Sequence, residues 1–269
     1  MIDFESLEKI DEGKTKIIYA NPHDPATVFM YFKDDITAGN GRKHDIIKGK
    51  AFLDWKINRD IFEFLNRRGI RTHYISSPQD LVALVKKLDK KINLEVVSRR
   101  IAVGSILKWG RIEEGVRFDP PATQFHYKDD GLHDPMLDEG FIHYLEGEKG
   151  ASEWVAMREI NEAVLHRLEQ AFAHFGVQLI DLKLEYGLIG GEVHLIDEIS
   201  GGSLRLWPYR HENPNLAQVN VSGELDPGGR LDKDTYRKGE PFDKVMESFR
   251  QIASITEKFK DLRIESNSD

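Results

Sequence analysis

The residues whose types and spacing best suit chemistry lie in the segment 177–207. Here Asp181, Lys183 and Glu185 alternate with apolar residues, which is typical of a strand with one buried face and one charged face. A glycine-rich turn follows, and residues 193–199 predict a second strand that returns along the first. The sequence therefore predicts a hairpin whose charged face carries two carboxylates and an amine.

If the turn of this hairpin is centred near Ile189, Asp181 lies opposite Asp197. Two carboxylates with Cβ atoms about 5 Å apart repel each other unless one is protonated or a cation lies between them. Mg²⁺ binds through one or two carboxylates together with substrate phosphates, so this face suits a site for Mg²⁺ and phosphate. The alternative is a solvated strand face whose charges pair with each other. Asp197 shares its face with Val193 and Leu195, which favours the site.

The composition limits the class of protein. The chain has 269 residues, a net charge of −8 and no cysteine. The charge argues against a nucleic-acid or anionic-membrane binder, and the lack of cysteine excludes disulfides and thiolate metal sites. The N-terminus is acidic without the apolar segment of a signal peptide, and no apolar run approaches the roughly 20 residues that span a bilayer. We expect a soluble, cytoplasmic protein that binds no nucleic acid and no membrane.

The elements that position the charged residues fall into two parts. The first part is predicted to be a small antiparallel unit with one helix, because short apolar strand patterns surround a single amphipathic stretch. Its predicted elements are strands at 14–19, 28–32, 72–75 and 81–88 and a helix at about 48–67. A boundary near residues 89–93 gives two expected domains, 1–89 and 90–269.

The second part contains a candidate anion site. A strand at 94–97 leads to Arg99 and Arg100, and Gly104 with Ser105 opens a short helix, whose N–H groups favour anions. The alternative is a pair of surface arginines in a loop. Further along the chain, we expect a loop-rich segment at 118–138, a helix at 152–175 with Ser152 as its N-cap, and an amphipathic helix at 242–259.

Several of these stretches resemble, in content and order, the motifs of the SAICAR synthetase family. They are 13–19 (GKTKIIY), 35–39 (DITAG), 84–89 (LVKKLD), 99–105 (RRIAVGS), 133–136 (HDPM), 180–187 (IDLKLEYG) and 197–200 (DEIS). The resemblance extends from about Gly13 to Arg237, and the strand D-x-K-L-E-[FY]-G followed by D-E-x-S is its most specific part.

The resemblance implies an α+β, two-lobed, ATP-grasp-like fold. The N-terminal lobe is small and antiparallel, the C-terminal lobe is larger and α/β, and the nucleotide lies between them. It also implies a ligase of de novo purine synthesis that uses ATP and Mg²⁺. Such an enzyme joins the carboxylate of carboxyaminoimidazole ribotide (CAIR) to the amino group of L-aspartate through an acyl phosphate, and releases ADP and phosphate.

The resemblance further implies a role for each residue that matches a family motif. Those implied in catalysis are Lys183, Asp181 and Asp197, and the implied metal ligands are Asp181, Asp197 and Glu185. Those implied in ATP binding are Gly13, Lys14, Lys16, Lys86, Lys87, Leu88 and Glu185. Those implied in substrate binding are Asp35, Thr37, Gly39, Arg99, Ser105, Asp134, Ser200, Arg205, Lys233, Asp234 and Arg237.

Three features depart from the family pattern, one of which is a set of extra residues between Trp207 and Leu231. Gly201 and Gly202 stand where the family usually has Pro-Asp, which removes a carboxylate and predicts a more flexible loop. Trp109 stands where a basic residue is expected, after Lys108. These departures leave open a divergent amide ligase that acts on another carboxylate or amine. A phosphotransferase to a hydroxyl group and a non-catalytic nucleotide-binding module are further alternatives.

We also expect a homo-oligomer, specifically a dimer. The amphipathic helix at 242–259 could face a partner chain as easily as the protein's own core.

Overall fold

The computed structural model describes residues 2–38, 43–129, 131–146, 148–210, 224–231, 234–237 and 239–263. Within this part of the chain, the strands form two antiparallel sheets and a separate hairpin, and helices pack against the sheets. The predicted α+β class is confirmed.

The first sheet is built from short strands rich in β-branched and aromatic residues, which favour a pleated, half-buried surface. Its strand order is β1-β2-β3-β7-β6. The strands are β1 (Lys9–Glu12), β2 (Lys16–Ala20), β3 (Thr27–Phe32), β6 (Tyr74–Gln79) and β7 (Val82–Lys86). The strand predicted at 72–75 was therefore placed too early. Strands β4 (Asp35–Ala38) and β5 (Lys43–Ile46) form the separate hairpin.

Helix α1 (Lys50–Arg67) corresponds to the helix predicted at 48–67, and it packs on the first sheet. Its apolar stripe includes Trp55, Phe62 and Leu65, all buried. Phe52, on the opposite side of the same helix, is 43% exposed.

The second sheet has the order β10-β9-β8-β11-β12, and β13 also pairs with β11. The strands are β8 (Lys90–Ile101), β9 (Arg117–Tyr127), β10 (Met136–Leu137), β11 (Val177–Ile189), β12 (Glu192–Ile196) and β13 (Leu204–Pro208). The segment at 118–138 was expected to be loop-rich and instead supplies β9 and β10. Pro120 and Pro121 favoured the loop prediction, because proline is rare inside strands. Both lie at the less buried end of β9, where proline is tolerated.

The remaining helices follow the second sheet in the chain. They are α2 (Leu107–Gly110), α3 (Glu139–Glu146), α4 (Glu148–His174), α5 (Asp234–Arg237) and α6 (Phe242–Thr256). Helix α4 packs on β8, β11 and β12, and α6 packs on α1. Ser152 is not an N-cap as predicted, because α4 begins at Glu148.

One hydrophobic core joins the two sheets through α1 and α4. Leu182, Leu184 and Tyr186 from β11 belong to this core, so the predicted apolar face of that strand is confirmed. The apolar face of α6, with Val245, Phe249 and Ile252, is buried within the chain itself. In the described residues, no helix combines the length and the apolar character needed to cross a membrane.

Candidate functional site

A cleft of about 1340 Å³ is lined by residues of both sheets. The β1–β2 segment contributes one wall, and the charged face of β8, β9, β11 and β13 contributes the other. Thirteen of the residues to which the resemblance gives a role line it: Gly13, Lys14, Lys16, Thr37, Arg99, Ser105, Asp134, Asp181, Lys183, Glu185, Asp197, Arg205 and Arg237.

Strand β11 lies at the centre of the cleft, and it pairs with one strand along one edge and with two strands in succession along the other. One edge pairs with β8 from Asp181 to Leu188. The other edge pairs with β13 up to Leu182 and with β12 from Glu185 onward. The loop between β12 and β13 fills the gap, where the N–H of Lys183 donates to the carbonyl of Ser203 at 2.9 Å. The loop at 197–203 thus meets β11 at the centre of its charged face.

The predicted pairing of Asp181 with Asp197 is wrong. The turn is centred between Gly190 and Gly191, both at positive φ, so Ile189 pairs with Glu192 and Glu185 pairs with Ile196. Asp197 therefore follows the residue opposite Glu185. Asp181 lies four residues farther along β11, which at about 3.3 Å per residue is roughly 13 Å away from Glu185.

Asp181 lies between two arginines. In the sheet it is paired with Arg99 on β8 and with Arg205 on β13, and its Oδ2 accepts hydrogen bonds from both guanidinium groups, with Arg205 Nη1 at 2.5 Å. Arg99 also contacts Ser105 Oγ at 3.3 Å. Burial lowers the pKa of Arg99, and Asp181 offsets part of this effect. This end of the cleft carries two guanidiniums against one carboxylate, which suits an anion such as phosphate.

A second charged cluster surrounds Glu185. Its carboxylate contacts the amines of Lys128, Lys91 at 3.2 Å and Lys183 at 3.6 Å. Burial alone would raise the pKa of Glu185, but these lysines outweigh burial and hold it well below its usual range. Lys183 Nζ also lies 2.9 Å from Glu95. Burial alone would lower the pKa of Lys183, but the carboxylates of Glu185 and Glu95 outweigh burial and raise the pKa above its usual value. The amine therefore stays protonated at neutral pH.

The loop at 197–203 links the two walls of the cleft. The Lys16 amine on β2 forms ion pairs with Asp197 and Glu198, and Thr15 Oγ1 donates to Glu198 at 3.0 Å. Behind the loop, His73 Nε2 lies 3.1 Å from the Asp197 carbonyl, so this nitrogen carries the proton. Asp197 itself has a φ of 69°, a left-handed conformation that these contacts hold in place.

We predict an acid-dependent loss of stability from His73. Burial lowers its pKa from 6.5 to about 4, only partly offset by Asp197. The unfolded chain therefore takes up this proton before the folded protein does. The stabilisation is complete above about pH 6.5 and is lost as the pH falls toward 4, by about 3 kcal/mol. Urea unfolding at pH 7 and pH 4.5 measures this loss. His73→Gln keeps an N–H donor but does not titrate, so its free energy of unfolding should fall by about 3 kcal/mol less than that of wild type between the two pH values. Equal losses in both proteins would contradict the prediction.

Comparison with known proteins identifies the family. The SAICAR synthetase family model matches residues 9–252. The chain belongs to the SAICAR synthetase family. A relative from Herpetosiphon aurantiacus, named phosphoribosylaminoimidazole-succinocarboxamide synthase, is 38% identical over 264 residues, which cover 94% of this chain and 98% of the relative.

Solved structures of SAICAR synthetases have the same fold. A phosphoribosylaminoimidazole-succinocarboxamide synthase from Ehrlichia chaffeensis superposes with a TM-score of 0.79 at 34% identity, covering 93% of this chain and 98% of that one. A SAICAR synthetase in complex with ADP superposes with a TM-score of 0.76 at 32% identity, covering 91% and 96% of the two chains.

The glycine at position 201 has a packing explanation. Gly201 is buried, and a Cβ added there would lie 2.7 Å from two ring atoms of Phe249 on α6. The ring of Phe249 therefore occupies the space that a side chain at position 201 would need. The loop was expected to be flexible at this point, but Gly201 is held against α6.

We predict that Gly201→Ala lowers the free energy of unfolding by about 1–3 kcal/mol, because the added methyl group overpacks against Phe249. Urea unfolding measures this effect. Phe249→Leu removes part of the ring, so the double variant should lose less stability than the sum of the single variants. Additive losses in that double-mutant cycle would refute the packing explanation.

Some predicted site residues lie away from the cleft. Lys86, Lys87 and Leu88 lie where the chain passes from β7 to β8 and do not line it, nor does Asp35, which pairs with His44 at 2.7 Å. Ser200 does not line it either, and its Oγ accepts from the Gly202 N–H at 3.2 Å. The backbone of Asp234 belongs to α5, but its side chain lies outside the described residues, as do Gly39 and Lys233. The roles implied for these residues stay predictions.

Arg100 was expected beside Arg99 in the anion site and instead lies on the other face of β8. Its guanidinium makes a two-point ion pair with Glu169 on α4, at 2.9 Å for both contacts. Successive side chains of a strand point to opposite faces, so only one of two adjacent arginines can reach the cleft.

Several cleft residues were missed by reasoning from the sequence. Those that contact a predicted site residue are Lys91, Glu95, Lys128, Glu198 and Ser203, and Thr15 in turn contacts Glu198. Period-2 alternation along β8 places Glu95 on the same face as Arg99, and this pattern could have identified it. Lys43 and His126 are further missed residues that line the cleft. Lys108 and Trp109, already noted in the sequence, line it as well.

Proposed function

We propose that this protein is an ATP-dependent ligase that joins the carboxylate of CAIR to the amino group of L-aspartate, giving the succinocarboxamide ribotide (SAICAR), ADP and phosphate. The observation that carries the proposal is the charged face of β11. The two arginines around Asp181 and the protonated amine of Lys183 lie along one cleft, in a member of the SAICAR synthetase family.

The distribution of charge supports a binding position in the cleft for each phosphate-bearing substrate. The guanidiniums of Arg99 and Arg205 suit the ribotide phosphate, with Ser105 Oγ as a further hydrogen-bonding group. Lys14 and Lys16, from the other wall, suit the phosphates of ATP. The carboxylate of the ribotide then reaches the Lys183 amine between these two sites.

The proposed reaction has two steps, phosphorylation of the carboxylate and then formation of the amide. A carboxylate oxygen of CAIR attacks the γ-phosphorus of ATP, the bond to the β-phosphate oxygen breaks, and ADP leaves. The neutral amine of aspartate then attacks the acyl carbon, phosphate leaves with the bonding electron pair, and the nitrogen loses a proton. Lys183 stabilises the negative charge that passes from the carboxylate to the phosphoryl group, because its amine stays protonated beside Glu185 and Glu95.

The carboxylates also fit a magnesium ion, through two of the three predicted ligands. Within the described ranges, no three Asp, Glu, His or Cys side chains are grouped as a metal site. Mg²⁺ needs only one or two carboxylates when nucleotide phosphates supply the other ligands. Glu185 and Asp197 suit this task because both line the cleft and the register brings Asp197 next to the residue opposite Glu185. The bound ion would neutralise phosphate charge.

We also propose the two-lobed, ATP-grasp-like arrangement, with domains 1–89 and 90–269 and ATP between them. The change from the first sheet to the second at residues 87–89 supports this boundary, and so does the cleft lined by both sheets. The absence of cysteine is compatible with a reducing cytoplasm, which we propose as its compartment. A homodimer stays a proposal, and since the apolar face of α6 packs within the chain, another surface would form the contact.

The test is ADP release in the presence of ATP, Mg²⁺, CAIR and L-aspartate, with each component omitted in turn. Turnover should require all four, and mass spectrometry should identify SAICAR. Release of many equivalents of ADP per enzyme without aspartate would indicate a phosphotransferase or an ATPase instead, whereas a single equivalent is what formation of the acyl phosphate produces. No turnover with intact ATP binding would refute the proposed substrates.

A further inference from the structure

His126 on β9 is a cleft residue to which neither the sequence motifs nor the proposed reaction gives a role. It lines the cleft, and only 8% of its surface is exposed. Among the residues that the structure describes, its Nε2 atom has no hydrogen-bond partner and almost no exposed surface, so a ligand group reaches it only when neighbouring side chains of the cleft shift. A buried polar atom without a partner costs about 1–3 kcal/mol, so such an atom in a substrate cleft points to a contact with a ligand.

The other ring nitrogen decides which kind of contact Nε2 can make. Nδ1 lies 3.0 Å from the carbonyl oxygen of Asp134. A carbonyl oxygen only accepts hydrogen bonds, so Nδ1 carries the proton, and Nε2 of the neutral ring presents a lone pair. A ligand group that meets Nε2 must therefore donate a hydrogen, as an N–H or O–H group does.

The sheet register places His126 near the reacting end of the cleft. His126 pairs with Glu95 on β8, and Glu95 pairs with Glu185 on β11. Glu95 is also the carboxylate that lies 2.9 Å from Lys183 Nζ. Arg99, at the anion site, is four residues from Glu95 along β8, or roughly 13 Å. A ribotide anchored at Arg99 thus extends toward the row of residues that contains His126.

Trp109 completes the surroundings of His126. Its ring centroid lies 6.1 Å from that of His126, with 35° between the ring planes, and the indole is half-exposed on the cleft wall. The two rings form an aromatic wall that suits a planar heterocycle.

We propose that His126 Nε2 accepts a hydrogen bond from an N–H group of the substrates at the reacting end of the cleft, a contact that sets substrate specificity. This inference rests on the proposed function, in which two groups have the required chemistry: the ring amino group of CAIR and the amine of aspartate. Trp109 provides the apolar wall beside that contact.

Two substitutions separate a substrate contact from a structural role. The amide nitrogen of asparagine takes the place of Nδ1, so His126→Asn keeps a donor for the Asp134 carbonyl and removes Nε2. The longer glutamine side chain takes the place of Nε2, so His126→Gln keeps an acceptor there and removes the donor for Asp134.

Steady-state kinetics on both variants, with urea unfolding as the control for folding, tests the proposal. We expect His126→Asn to raise the KM of one substrate about tenfold, with the KM of ATP and the unfolding midpoint unchanged, and His126→Gln to stay within about threefold of wild type. A rise in the KM of CAIR identifies its amino group as the donor, and a rise in the KM of aspartate identifies the incoming amine.

The opposite order, with asparagine active and glutamine impaired, would show that His126 only holds the segment at Asp134 and would overturn the proposal. Unchanged kinetics in both variants, or equal losses together with lower stability, would also overturn it. In each of these cases the wild-type enzyme still makes SAICAR. If wild type makes none, the proposed function itself fails and this assignment fails with it.

Discussion

Replacing Lys183 by methionine should reduce kcat for SAICAR formation by about 10³-fold, because the variant loses the only amine that contacts both Glu95 and Glu185 among the described residues. Methionine keeps the length of the side chain and removes its charge. Glu185 keeps its contacts with Lys91 and Lys128, so the cleft keeps most of its ion pairs. The measurement is single-turnover formation of product, which separates the chemical step from product release.

Two further variants make the Lys183 result specific. Lys183→Arg keeps a positive charge but changes its geometry, and it should retain more activity than methionine does. Lys56→Met is a matched control, because Lys56 forms an ion pair with Glu257 at 2.8 Å and does not line the cleft, so its kcat should equal that of wild type. A wild-type rate for Lys183→Met would remove Lys183 from the mechanism.

Replacing Asp181 by asparagine should lower the free energy of unfolding by about 3–5 kcal/mol and weaken turnover as well. The substitution leaves the guanidiniums of Arg99 and Arg205 facing each other without the carboxylate that both contact, and removing one partner of a buried ion pair costs about this much. The metal role that the resemblance implies for Asp181 would instead predict a larger loss of turnover than of stability. Its place between two arginines reverses that order.

Urea unfolding with and without inorganic phosphate tests the Asp181 prediction. Phosphate can replace the missing negative charge between the guanidiniums, so it should stabilise Asp181→Asn more than it stabilises wild type. Asp119→Asn is the matched control, because Asp119 also contacts an arginine, Arg100 at 3.5 Å, but its side chain is 79% exposed. Wild-type stability in Asp181→Asn would contradict the assignment of Asp181 to the arginine pair.

Local patterns in the sequence determined much of this protein. Alternation of charged and apolar residues along β11 predicted both its buried face and its cleft face, since successive side chains of a strand point to opposite sides. The motifs predicted the SAICAR synthetase family, which the comparisons confirm. Helices α1, α4 and α6 were predicted because a helix that buries one face needs a periodic apolar stripe, which local sequence displays.

The tertiary structure decided which side chains meet. A shift in the centre of one turn, from Ile189 to the Gly190–Gly191 pair, moved Asp197 from Asp181 toward Glu185. Asp181 meets Arg99 because β8, 82 residues earlier in the chain, is its neighbour in the sheet. Alternation along a strand specifies a face, whereas strand order and register depend on packing between distant segments. The fit of Phe249 against Gly201 and the surroundings of His126 arise in the same way, from contacts that exist only when the chain is folded.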